Sequence, residues 1–425
     1  MSFITADFQG PRSHPWSRLR DFHRDPLGLF QALVRDFGHR VRFPMGAWTF
    51  YLLNDSESAG FVLSHHAKGF RKGPGLAANN PLIGRGLLTA EGELWTQERQ
   101  QLAPVFRPRN ISAMRPWLES AVQEVLDPTL AKSPQDLEAA MLELSLYLVL
   151  KSVFATSDLS LASVRAMGED VRWLMHYFYH RSRTVWRFPY VFPFNRRYHR
   201  HAQHLIQRVE DITFDKRPFM TLHGHLPEDP ETRRQALVTL LIAGYETTGH
   251  AMSWALYLAA THPPVEERLV AESLSETTPT PSTHPWTYAA ILESLRLYPP
   301  VWLLSRTPTT AVTFSNVTFR PGDILLISPW LMHRSADHYP EPEAFRPERW
   351  LNWRPPAPYA FIPFGGGPRR CIGEDLALTE ALIVVSRIVA RYRLTALGAP
   401  RPSVFPGLTL QSQDGLWVTI QPRSA

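Results

Sequence analysis

Cysteine is nearly absent from this chain: Cys371 is the only one in 425 residues. A lone cysteine excludes an intramolecular disulfide, a cysteine-based zinc cluster and an iron–sulfur cluster. An unpaired thiol also fits a reducing compartment. Long apolar runs are missing too. Leu137–Ala155 is interrupted by Glu138, Glu143 and Lys151, and Ala236–Tyr245 falls short of the roughly 20 apolar residues that span a bilayer. Both read as core helices. The first residues, Met1 to Pro26, are polar and carry Arg12, Arg18, Arg20 and Arg24. They lack the apolar segment of a signal peptide or anchor, so a cytoplasmic protein is expected. Internal repeats and low-complexity linkers are likewise lacking, and one domain over residues 1–425 is expected.

What is present is ordinary for a globular protein: 44% hydrophobic and 20% charged residues. A chain of this length can bury a core large enough to enclose a bulky cofactor. The 45 basic and 39 acidic residues leave a net charge of +6. That mild excess suits an acidic partner or an anionic membrane surface, including peripheral contact with an inner membrane, and equally a plain solvated surface. Thirty-eight prolines imply many loops and helix ends. Short β-like runs occur at Val41–Phe43 and Thr49–Leu53. The pattern from Pro116 to Val270 is mainly helical, including a helix from about Arg233 to about Ala260. β-like runs return at Val312–Phe314, Val317–Phe319 and Ile324–Ser328 around the turn Pro321-Gly322-Asp323. Pro340–Pro358 reads as an irregular meander and Glu374–Arg393 as a helix. Long helices followed by small hairpins predict a mainly α fold with small β-sheets.

The most informative segment surrounds the cysteine: Phe364-x-x-Gly367-x-Arg369-x-Cys371-x-Gly373. A thiolate that binds a metal must be deprotonated, which nearby backbone N–H groups and positive charge favour. Glycines let the backbone fold tightly around the sulfur, and a helix starting just after it aims a positive dipole end at the anion. The plain alternative is a buried free cysteine beside a flexible loop. Five specified residues at five fixed offsets argue against it. The segment resembles the haem-binding signature of the cytochrome P-450 superfamily at every fixed position. That resemblance implies the P-450 fold, with haem b (iron protoporphyrin IX) buried between a long oxygen-binding helix and the cysteine-loop helix. Cys371 would be the axial iron ligand, Arg369 would face a haem propionate, and Phe364 would shield the sulfur.

Three more motifs extend the resemblance. Glu293-Ser-Leu-Arg296 places an acid and a base on one helical face. Most such pairs are solvated, but the resemblance adds Arg349 from Phe345-Arg-Pro-Glu-Arg349-Trp350 and makes the three a buried folding network. Trp95 and Arg99 share a helix face and can both donate to a carboxylate. In the family this pair binds a propionate, and Arg306 would take the other; the plain alternative for Arg306 is an exposed strand-end arginine. Ala243-Gly244-Tyr245-Glu246-Thr247-Thr248 lies within the long helix. Without the resemblance it reads as a glycine-kinked core helix with a back-bonding threonine. The resemblance implies that Ala243 and Gly244 leave room for dioxygen, that the Thr247 hydroxyl serves it, and that Glu246 relays protons from solvent. Peroxide-using members carry Arg-Pro where this chain keeps Glu-Thr, which favours dioxygen and supplied electrons. With no segment read as a flavin or iron–sulfur domain, those electrons are expected from a ferredoxin and its reductase, or a flavodoxin.

At subfamily scale, Arg24-Asp-Pro-Leu, Gly84-Arg-Gly-Leu-Leu-Thr89, Glu293–Pro300 with Val301-Trp302, Phe345–Trp350 and the short stretch His223–Arg234 resemble soluble bacterial enzymes that hydroxylate β-carotene rings. The resemblance implies a large hydrophobic substrate, with Val301, Leu303 and Leu304 lining its pocket and Trp302 pointing either way. Val171–Tyr179 and Val185–Phe194 are dense in aromatics and would lie over the entrance. Such segments also describe core packing, and mixed aromatics and arginines occur on nucleic-acid surfaces; no nucleic-acid partner is expected. A fatty-acid or terpenoid hydroxylase is the rival enzyme, a haem-thiolate gas sensor the rival from another class. A monomer is expected.

Overall fold

Prolines and capping carboxylates set where the helices begin. The computed structural model describes residues 8–11, 14–74, 82–84, 86–154, 156, 159–183, 195–211, 225–274, 277–352 and 357–423. The segment Val185–Phe194 and Arg85 lie outside them. In chain order the elements are α1 (Pro15–Arg24), α2 (Pro26–Phe37), β1 (Arg40–Met45), β2 (Trp48–Leu53), α3 (Ser56–Gly60), β3 (Phe70–Lys72), α4 (Gly92–Leu102), α5 (Pro108–Thr129), β4 (Gln135–Asp136), α6 (Leu137–Ser152), α7 (Leu161–Arg183) and α8 (Arg196–Glu210). They continue with α9 (Pro230–Ala260), α10 (Pro263–Ser273), α11 (Pro285–Leu297), β5 (Leu304–Pro308), β6 (Val312–Phe314), β7 (Val317–Phe319), β8 (Ile324–Ile327), α12 (Pro329–Met332), α13 (Glu374–Arg391), β9 (Tyr392–Ala396), β10 (Val404–Pro406), β11 (Leu410–Ser412) and β12 (Trp417–Pro422). The fold is mainly α with small sheets, as the sequence pattern predicts. The chain forms two interleaved units.

The first unit comprises Met1–Ala77, Val301–Ala344 and Arg354–Cys371. Its sheet has the order β1-β2-β8-β5-β3. β2 and β8 run parallel, and the other neighbours are antiparallel. Strands β6 and β7 match the predicted runs, but their hairpin turns at Ser315-Asn316, both in the left-handed region (φ 46° and 63°). Both centres with positive φ match the right-handed twist of the strands. The turn at Pro321-Gly322-Asp323 instead links β7 to β8, where Arg320 N donates to Asp323 Oδ2 at 2.7 Å. Trp302 faces the core and packs on Phe30, with ring centroids 6.4 Å apart. The backbone leading to the cysteine loop is anchored twice: Tyr339 Oη donates to Ala360 O (3.0 Å) and Ile362 N donates to His333 Nε2 (2.8 Å).

The second unit comprises Ala78–Pro300, Phe345–Trp353 and Ile372–Ala425. Its centre is α9, packed along α6 and also against α11 and α13. Asp229 caps α9 by accepting from Thr232 N at 2.8 Å, and Pro230 occupies its first turn, where no N–H is needed. The helix therefore starts a few residues before Arg233. At Gly249 an added Cβ would come within 2.8 Å of Leu142 Cδ2 and 3.1 Å of Leu142 Cα. Glycine lets α6 approach α9 closely at this point. Helix α5 starts at Pro108 and runs through Pro116, where a helix start is the simplest sequence reading. Pro116 removes one backbone hydrogen bond. Burial of Ile111, Met114 and Leu118 on both sides of it carries the helix across. The sheet β4-β12-β9 and the hairpin β10–β11 complete this unit.

Candidate active site

In the first unit, the cysteine loop is shaped by its own backbone and by the helical turn at Phe61–His65. Gly365 and Gly367 adopt positive φ (71° and 66°), and Cys371 N donates to Phe364 O at 2.9 Å. Gly365 N also donates to Ile362 O (3.0 Å), and Arg370 N to Gly367 O (3.0 Å). A Cβ at Gly367 would lie 1.8 Å from Leu63 O, and one at Gly366 2.8 Å from the Tyr359 ring. Glycine is therefore obligatory at 367 on two counts, conformation and contact. The result is a tight loop that presents the Cys371 side chain outward: the residue is exposed, and Phe364 and Arg369 are half-buried. Helix α13 begins at Glu374, just beyond it. Arg306 lies on β5, half-buried, with one guanidinium N–H donating to Ser305 O at 2.9 Å. Val301, Leu303 and Leu304 are half-buried, and Leu304 packs on this unit's apolar core.

In the second unit, every residue of α9 from Ala236 to Ala259 is buried except Ala243, Gly244 and Thr247. Positions i and i+4 share a helix face, so Ala243 and Thr247 make one accessible patch in an otherwise enclosed helix. The Thr247 hydroxyl donates to Ala243 O at 2.7 Å, which leaves its oxygen lone pairs as acceptors on that patch. Gly244 has a packing role as well, since a Cβ there would meet Val149 Cγ2 at 3.0 Å. Glu246 is buried and accepts from Gln411 Nε2 of β11 at 3.0 Å. Four residues on, fully buried His250 places Nε2 3.9 Å from Glu246 Oε1 and Nδ1 2.9 Å from Glu138 Oε1 of α6. Glu138 also accepts from the backbone N–H of Ser412 (3.0 Å) and from its hydroxyl. Burial would raise the Glu138 carboxyl, but His250 and Ser412 hold it below its ordinary value. The sequence reading missed His250, Glu138 and Gln411. A histidine four residues after the acid in an apolar helix is a signal for His250; Glu138 and Gln411 leave none.

The same unit holds the other predicted groups. Trp95 and Arg99 lie together on α4, with the guanidinium carbon 5.7 Å from the ring centroid. Gly373 caps α13, and a Cβ there would meet only Phe106 at an ordinary 3.8 Å. Glu293 and Arg296 are fully buried and pair twice, Nε to Oε2 at 2.9 Å and a terminal nitrogen to Oε1 at 2.8 Å. Arg349 Nε (3.0 Å) and Arg346 N (2.9 Å) donate to Oε1, and Trp350 Nε1 (2.7 Å) donates to Oε2. The expected three-residue network is thus a five-residue one, with Trp350 and the Arg346 amide unforeseen.

By donor chemistry, the Cys371 thiol, Arg306 and Arg369 of the first unit suit iron and carboxylates, and Trp95 and Arg99 of the second unit suit carboxylates. The comparisons with known proteins agree. The family model described as Cytochrome P450 matches residues 13–217 and 223–417. The chain is 30% identical to cyclooctat-9-en-7-ol 5-monooxygenase of Streptomyces melanosporofaciens, over 91% of this chain and 87% of that one. It is 27% identical to the chloroplastic protein LUTEIN DEFICIENT 5 of Arabidopsis thaliana, over 92% of this chain and 73% of that one. The crystal structure of CYP175A1 from Thermus thermophilus superposes with a TM-score of 0.80 at 29% identity, covering 98% of this chain and all of that one. The chain therefore belongs to the cytochrome P450 family and is a monooxygenase of the kind that holds haem iron by a cysteine thiolate.

Proposed function

We propose that this monooxygenase hydroxylates the ring of a carotenoid such as β-carotene, using a haem b whose iron the Cys371 thiolate would hold. The observation that carries the chemistry is the accessible patch at Ala243 and Thr247, flanked by buried Glu246. Haem held by that thiolate would supply oxygen activation. The chain's own groups do the rest. Trp95, Arg99, Arg306 and Arg369 bind and orient the two propionates, because guanidinium and indole N–H groups donate strongly to carboxylates. Gly367 gives the loop its shape and clearance, Gly373 caps the helix that follows, and Phe364 would shield the sulfur. Thr247 accepts a hydrogen bond on the patch while Ala243 and Gly244 keep it low. Glu246 collects a proton from water and passes it to the patch. Glu293, Arg296 and Arg349 hold the fold and take no part in the chemistry.

The substrate assignment rests on resemblance to bacterial β-carotene hydroxylases and on the plant relative, whose name refers to lutein, a hydroxylated carotenoid. Half-buried Val301, Leu303 and Leu304 suit an apolar ring. The relative that acts on cyclooctat-9-en-7-ol favours a terpenoid as the second reading. We take residues 1–425 to act as one domain, in the cytoplasm, with electrons from a ferredoxin and its reductase or from a flavodoxin. Among the described residues no helix is long and apolar enough to cross a membrane.

The test is expression in a β-carotene-accumulating bacterial host with a ferredoxin and its reductase, followed by mass spectrometry. A carotenoid heavier by one or two oxygens, lost with Cys371→Ala, is the expected result. Unmodified carotenoid beside fully loaded enzyme overturns the carotenoid assignment and leaves a terpenoid or fatty acid to be tried.

A further inference from the structure

We propose that His250 is a positioning residue for Glu246: an imidazolium anchored by Glu138 orients the Glu246 carboxylate beside the α9 patch, so that proton supply to the patch depends on the Glu138–His250 pair. The proposal rests on the reading of Glu246 and Thr247 as the proton-delivery pair.

The geometry separates an anchor from a mobile end. Glu138 is fixed by three contacts, two from Ser412 and one from His250. His250 is fully buried, and its Nδ1 lies in ion-pair contact with that anchor at 2.9 Å, without the alignment of a hydrogen bond. Its other nitrogen stands 3.9 Å from Glu246, an ion-pair distance rather than a hydrogen bond. Glu246 is thus held by charge from one side and by the neutral Gln411 amide from the other. A carboxylate tied only by a long ion pair and one amide can rotate to exchange a proton, while one in a bidentate pair cannot.

Charge balance gives the reason for the histidine. Two carboxylates, both about nine-tenths buried, flank one ring, and a cation between them offsets their mutual repulsion. The charged groups facing His250 among the described residues are Glu138 of α6 and Glu246 of its own helix, while β11 adds the neutral Gln411 and Ser412. Burial works against a charge on the ring, but the two carboxylates outweigh it and push the imidazolium up to about 9. The ring keeps its proton throughout turnover. Glu246 takes a proton from water, releases it to the patch and returns to the carboxylate, and the net change is one proton moved inward.

Two readouts test this on the haem-loaded enzyme. Carbon-13 spectra of labelled histidine, assigned by the signal lost in His250→Gln, should show one imidazole still protonated at pH 7.5 and titrating at lower pH in Glu138→Gln. A neutral His250 at pH 7 in the wild type overturns the proposal. That reading needs no turnover, and Glu138→Gln carries the test if His250→Gln does not fold. The second readout is product formed per NADPH, with a substrate the wild type hydroxylates, β-carotene first. His250→Gln should lower it about tenfold, the low end of what loss of an orienting partner costs. Combined with Glu246→Gln it should cost no more than Glu246→Gln alone. If Glu246→Gln impairs coupling and His250→Gln does not, this proposal fails and the proton-delivery reading stands. If neither does, both fail.

Discussion

Glu380 allows a worked prediction of stability against pH. Its carboxyl sits on α13, completely buried, and its one described partner is the Ser152 hydroxyl of α6, which donates to it at 3.2 Å. Burial pushes its pKa from 4.5 up to about 8, against a smaller lowering by Ser152. In the folded protein the group therefore keeps its proton at pH 7, while the unfolded chain releases it. A raised folded pKa contributes stability that is fully present below the unfolded value and lost as pH rises through the folded one. Between 4.5 and 7 the loss is 2.5 pH units at 1.36 kcal/mol each, about 3 kcal/mol. Glu380→Gln keeps the shape and the acceptor for Ser152 without the proton. It should stabilise the protein by about 2–3 kcal/mol at pH 7, the shortfall reflecting the extra amide donor, and by under about 1 kcal/mol at pH 5. Urea unfolding followed by far-ultraviolet circular dichroism at both pH values measures the difference. A variant less stable at pH 7, or a difference that does not change with pH, would refute the reasoning.

Three further outcomes are expected. Glu293→Gln leaves the fully buried Arg296 guanidinium uncompensated, and urea unfolding should show a loss of about 3–5 kcal/mol; a loss near that of an exposed pair, under about 1 kcal/mol, would contradict the network. Gly367→Ala forces a Cβ 1.8 Å from Leu63 O at a positive φ, so haem incorporation measured by absorbance per polypeptide should collapse, and full incorporation would show that the loop yields. Thr247→Ala should leave NADPH consumption in place while peroxide rises and hydroxylated product falls, and unchanged coupling would remove Thr247 from the chemistry.

The parts legible in the sequence were those written in local spacing. The loop from Phe364 to Gly373 needs left-handed backbone at Gly365 and Gly367, a local demand that survives in the sequence, while the contact of Gly367 with Leu63 was not legible. The helix patch was readable only through the family resemblance, which singled out Ala243, Gly244 and Thr247, and those three are the ones left accessible between Ala236 and Ala259. Glu293 and Arg296 are one turn apart on the same helix. What was not legible came from contacts between distant segments. Nothing in the sequence links Glu138 to His250, because their pairing arises only when Gly249 lets α6 lie close to α9. Trp350 reads as an ordinary meander aromatic, although its indole N–H completes the shell of Glu293. Pro116 misplaces the start of α5 because tertiary burial overrides the local cost of proline. The orientation of Trp302 depends on Phe30, far away in the chain.

The most direct measurement is the carbon monoxide spectrum of the reduced enzyme, wild type beside Cys371→Ala, at matched haem content. The wild type should give a thiolate-type band and the variant should lose it entirely. A thiolate-type band retained in Cys371→Ala, in a chain whose only cysteine has been removed, or absent from the wild type, would contradict ligation of the haem iron by Cys371.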